Sequence, residues 1–140
     1  MSKKIIRIRE QIKKDILARS NLAGGCIDRI KNTQEITEAE VVSLVHEYVC
    51  LKFFLTIEET AGMSLNEMAM LSIDRAYEMN LPVAKESERA TTCGTAGSAP
   101  MKIALLLNAI RKDLDLKVEP HRLGLVKDTA ELGTLIYDNL

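Results

Sequence analysis

No tryptophan occurs in the 140 residues, and aromatic side chains are limited to two Phe and three Tyr. The core must therefore be aliphatic. Its many Leu and Ile residues, with six Met, suit helices better than β-branched or aromatic-rich sheets. The three cysteines are odd in number and show no C-x-x-C spacing, which argues against a disulfide framework and for a reducing compartment. No run approaches the roughly 20 apolar residues that a membrane span requires. The first residues also lack the uninterrupted apolar stretch of a signal peptide. A cytoplasmic location is the expectation.

What is present is an ordinary globular balance, with 46% hydrophobic and 28% charged residues. The net charge of −1 conceals a polarity. Residues 1–20 carry seven Lys or Arg against Glu10 and Asp15, a sum of +5, so the other 120 residues carry −6. Such a basic segment can dock on the acidic remainder or on an acidic partner.

The periodicity predicts an all-α helical bundle. Ile5, Ile8, Ile12 and Ile16 recur at helical spacing over residues 3–20, and Asn21 with Gly24-Gly25 is expected to stop that helix. One or two turns could follow over residues 26–31. Thr37 and Glu40 have capping-box spacing, flanked by Ile36 and Val41 as a hydrophobic staple. The helix they open is expected to run to about Glu59, with Gly62 just beyond. Ser64 and Glu67, with Met63 and Met68, repeat the pattern for a helix ending near Met79, ahead of Pro82.

Residues 80–97 change character, forming a polar, small-residue loop of about 18 residues, a length that tends to mark function or disorder. Ser98 can cap the next helix, with Pro100 in its first turn and Ile103, Leu106, Leu107, Ile110 and Leu114 as its buried stripe. A connector follows, with a short helix after Pro120. Asp128 and Glu131 open a last helix that turns Leu132, Leu135 and Ile136 inward.

An enzyme site is hard to assemble from these residues, and a non-enzymatic role is expected. His46 and Cys50 share a helix face and could share a metal, yet two ligands are half a site, and no metal is assigned. Glu58-Glu59 and Glu86/Glu88 lack an apolar pocket to separate their pKa values. Cys93 lies near a helix start but has no neighbouring histidine in sequence. The stretch from Cys93 to Lys102 lacks phosphate-loop spacing, although its glycines and helix start could cradle one phosphate group. The basic first helix reads as the solvated face of a docked helix rather than a nucleic-acid or membrane contact.

From Ser64 onward the order of elements resembles an acyl carrier protein: a helix, a long irregular loop, a Ser at the head of a second helix, a short third helix and a final one. Leu116-Lys117-Val118-Glu119-Pro120 resembles the turn before the third helix, and Asp128-Thr129-Ala130-Glu131-Leu132 the start of the fourth. The resemblance covers about 77 residues. It divides the chain into an N-terminal helical extension of two main helices (1–62) and a carrier-like four-helix part (63–140). It implies a carrier holding acyl or aminoacyl groups as thioesters on a 4'-phosphopantetheine arm, bound to the hydroxyl of Ser98. The implied partners are acyl- or aminoacyl-processing enzymes and a phosphopantetheinyl transferase. Where the family has Asp-Ser-Leu, this chain reads Gly97-Ser98-Ala99, so the Ser alone carries over. The alternative is a non-enzymatic helical interaction or oligomerisation protein with a carrier-like fold and no prosthetic group, a homo-oligomer among its forms.

Overall fold

A computed structural model describes residues 3–78 and 98–140. The described chain is all-helical, with α1 (Lys3–Asn32), α2 (Glu38–Phe53), α3 (Leu65–Glu78), α4 (Ala99–Asp113), α5 (Pro120–Leu123) and α6 (Thr129–Asp138). The expected loop over 80–97, with Glu86, Glu88 and Cys93, lies outside the described residues, as does the helix end expected at Met79.

The starts of the helices follow the capping chemistry. Thr37 Oγ1 accepts the Glu40 N–H at 3.2 Å, and Ser64 and Glu67 bond each other's N–H groups at 3.1 Å. Asp128 Oδ1 accepts the Glu131 N–H at 2.8 Å, while the Glu131 carboxylate accepts the Lys127 N–H at 2.8 Å. Each arrangement satisfies donors that a helix start leaves unpaired.

Two helix ends differ from expectation. α1 does not stop at Gly24-Gly25 but continues through the 26–31 segment to Asn32. An interior Gly costs roughly 1 kcal/mol against Ala. Across the pair, however, Ala23, Cys26, Ile27 and Ile30 are all buried. Each large aliphatic side chain so buried contributes on the order of 1.5–3 kcal/mol, so Ile27 and Ile30 alone outweigh both glycines. Packing overrides propensity.

α2 ends early, at Phe53 instead of near Glu59. Phe54 takes the left-handed conformation (φ 60°) and donates its N–H to Cys50 O. The cause lies just beyond. Thr56 and Glu59 form a further capping pair, with Thr56 N–H to Glu59 Oε2 at 2.7 Å and Glu59 N–H to Thr56 Oγ1 at 3.2 Å. A residue pair that opens its own turn cannot also continue the helix before it.

α2 is the central element. It buries Val41, Leu44, Val45, Tyr48, Val49, Cys50 and Phe53, and α1 and α6 pack on it more extensively than any other helix pair packs. α6 comes close to α2 at Gly133, where a Cβ would lie 2.6 Å from Val42 Cα. α3 and α4 pair with each other, and α3 also touches α2. A backbone bond from Leu65 N–H to Lys127 O at 2.8 Å ties the head of α3 to the approach to α6. One apolar core runs from Ala23 to Ile136 through all these elements. Within it lies Lys102, 1% exposed, its ammonium 5.2 Å from the Phe53 ring centroid. No helix among the described residues is long and apolar enough to cross a membrane.

Candidate functional site

Ser98 is the N-cap of the 15-residue α4. It is exposed, and its Oγ accepts the Met101 N–H at 3.3 Å. Pro100 follows inside the first turn, where its missing N–H costs nothing. Ala99 is half-buried, while Pro100 and Met101 face water, Met101 with 57% of its surface. The first turn of α4 holds no acidic side chain. The positive end of its dipole therefore faces the Ser98 hydroxyl without local opposition from within that turn.

The basic residues of α4 are not a uniform surface. Lys102 is buried, and Arg111 donates Nε–H to Val118 O at 3.1 Å, holding the connector to α5. Lys112 remains exposed.

The histidine and cysteine of α2 form a different kind of centre. His46 Nδ1 lies 2.6 Å from Thr129 Oγ1, and Nε2 lies 2.8 Å from Thr60 Oγ1. Thr60 is fully buried. Its hydroxyl also stands 3.0 Å from Thr56 O, 3.1 Å from Ile57 O and 3.4 Å from Cys50 Sγ. Both ring nitrogens are thus engaged by threonines from two other segments. Burial lowers the His46 pKa and raises that of Cys50, which keeps the imidazole neutral and the thiol protonated. Cys26 is pushed up to about 11, first by burial and then by Glu47. Neither thiol is primed for nucleophilic chemistry. Among the described residues, no group of three or more His, Cys, Asp or Glu side chains could hold a metal ion. The sequence placed His46 and Cys50 on one face of a helix correctly. Thr60, which joins them, lies 10 residues beyond Cys50, and Thr129, on the other ring nitrogen, lies 83 residues beyond His46, outside the reach of local spacing.

The remaining candidates separate. Glu58 is exposed, whereas Glu59 pairs with Arg75, whose guanidinium holds the carboxyl below its ordinary pKa and also donates to Phe54 O at 3.1 Å. His121 is exposed on α5. Of the basic residues of α1, Arg19 turns inward, donating to Cys50 O at 3.2 Å and Leu51 O at 3.5 Å and standing 5.0 Å over the Phe54 ring. Lys13 and Lys14 are exposed.

One surface feature escaped the sequence reading. An open groove of about 490 Å³ lies along α5 and α6, with Leu125, Val126, Ala130 and Leu135 among its walls. Glu131, Asp138 and Arg122 also line it, so two carboxylates face one guanidinium. Its signal in the sequence was Leu125, an apolar residue in the connector with no periodic partner, here 68% exposed. No family model, no curated protein and no solved structure matches this chain.

Proposed function

We propose that the protein is a carrier, with Ser98 as the attachment point of a 4'-phosphopantetheine arm. The supporting observation is that Ser98 is exposed at the mouth of a long helix. The residues present fit the group. The hydroxyl reaches water, Ala99 and Pro100 leave space beside it, and the positive end of the α4 dipole, with no acidic side chain in its first turn, favours a phosphodiester. The arm would supply a terminal thiol that holds acyl or aminoacyl groups as thioesters. The chain's own part is to hold Ser98 at the helix head and to present Met101, one turn inward, as an apolar contact for processing enzymes and the transferase. Co-expression with a phosphopantetheinyl transferase, read by intact mass, tests the reading. Wild-type protein should gain the arm's mass. Ser98→Asp keeps the cap but not the attachable hydroxyl, and should gain nothing. An unmodified wild-type chain overturns the proposal.

A second reading, a helical interaction protein without an arm, draws on a different observation. The Ser98 hydroxyl already has a structural task as acceptor for the Met101 N–H, and Gly97-Ser98-Ala99 asks nothing more of it.

A further inference from the structure

α1 buries one face and leaves two leucines of the opposite face in water. Ala23, Cys26, Ile27 and Ile30 are buried. Lys14, Leu17, Ala18, Asn21 and Leu22 follow the i, i+3, i+4, i+7, i+8 spacing of a second face, and all five are exposed. Leu17 and Leu22 leave 62% and 60% of their surface in water. Lys13 and Lys14 lie one turn before Leu17, within a segment whose first 20 residues sum to +5.

The contacts of Arg19 with the carbonyls of Cys50 and Leu51 fix the register of α1 on α2. The residues of α1 before Arg19 therefore run on past the end of α2, which closes at Phe53, two residues beyond Leu51. On the other flank of α2, the groove of α5 and α6 offers Leu125, Val126 and Leu135 beside Glu131 and Asp138. A third carboxylate, Glu38, adjoins it through the 2.9 Å bond from Thr134.

We infer that the outer face of α1 docks in the α5–α6 groove of a second copy of this chain. Leu17 and Leu22 beside Lys13 and Lys14 meet a groove whose apolar residues are flanked by Glu131, Asp138 and Glu38 against one cation, Arg122, so the net charges correspond. Within one molecule, α1 and α6 each pack extensively on α2 and have at most slight contact with each other, so the pairing is assigned to a second copy. Contact between two outer faces of α1 would bring like charges together. The pairing stands whether or not Ser98 carries an arm.

Sedimentation equilibrium of the full chain across the micromolar range is the test. Wild-type protein should exceed its 15.6 kDa monomer mass and lose association as salt rises. Leu17→Glu disables the helix face and Leu125→Glu the groove. Both side chains are exposed, so circular dichroism should show intact folds. Each variant alone should be monomeric, yet an equimolar mixture should regain pairing, because one variant keeps the groove and the other keeps the helix face. A strictly monomeric wild type overturns the inference. So does either variant associating as wild type does, or a mixture that stays monomeric.

Discussion

Thr129, the first residue of α6, stands 2.6 Å from Nδ1 of His46 in the middle of α2. With Thr60 on the other ring nitrogen, one imidazole ties three segments that are remote in sequence. The bonding can close without a charge. Thr60 donates to a carbonyl of its own turn and accepts from Nε2–H, while Thr129 donates to Nδ1. A protonated ring would donate from both nitrogens and force the Thr129 hydroxyl to turn away.

Acid should therefore loosen this junction early. The folded-state pKa of His46 is lowered by burial from its ordinary 6.5, so the unfolded chain takes up the proton first. Stability from this source is full above the unfolded pKa and declines as pH falls through the folded one. Urea midpoints measured between about pH 7.5 and about pH 5.5 should fall, and His46→Gln should flatten that part of the profile. Glu59 adds a separate loss at lower pH, because the Arg75 pair depresses its pKa below 4.5. Arg75→Gln should shrink this second slope, leaving the part held by the Thr56 N–H, and leave the first unchanged.

Three helical glycines should respond to alanine in opposite directions. A Cβ at Gly24 or Gly25 meets nothing within 4 Å, so each Ala should stabilise α1 by about 0.5–1 kcal/mol. At Gly133 the same atom falls 2.6 Å from Val42 Cα and 2.8 Å from its Cγ2. Backbone cannot step aside cheaply, and Gly133→Ala should destabilise by roughly 1–3 kcal/mol through overpacking. Thermal melts of the three variants would check both signs.

Arg19 should act as a structural cation. Its guanidinium neutralises the negative end of α2 through two carbonyls and covers the ring of Phe54, a residue held at a φ of 60°. Arg19→Ala should cost about 1–2 kcal/mol in denaturant unfolding. Arg19→Lys should recover only part of that, since a compact ammonium cannot match a planar fork across two acceptors.

These contrasts mark what local sequence carries. Thr37, Ser64, Ser98 and Asp128 were readable as helix starts because a cap bonds residues three positions away. The end of α1 was not, because Gly24-Gly25 is a local stop signal and the burial of Ile27 and Ile30 that overrides it is a tertiary event. Thr56 and Glu59 went unread because the apolar residues leading up to Ile57 let the helix be carried on through them. Lys102 is buried, which was not legible locally. Its burial against Phe53 comes from a helix 49 residues earlier in the chain, and no residue near it in sequence announces that neighbour. Ser98 was found as a candidate for the same reason it was found as a cap, so its two possible tasks have to be separated by substitution.

Substitution can do so because capping needs an acceptor and attachment needs a hydroxyl. Ser98→Ala removes both and should destabilise the fold by about 0.5–2 kcal/mol, the usual cost of a lost N-cap. Ser98→Asp supplies an acceptor, gains favourable charge at the head of α4 and should melt at or above the wild-type temperature. Ser98→Thr retains hydroxyl and cap together and should melt within a few degrees of wild type. If all three variants instead melt together, Oγ contributes nothing as a cap and the 3.3 Å bond to Met101 is incidental. A stability order of Ala below Thr, with Asp highest, fixes the cap as real. Any difference in mass between wild type and Ser98→Asp, beyond that of the substitution, then belongs to attachment alone.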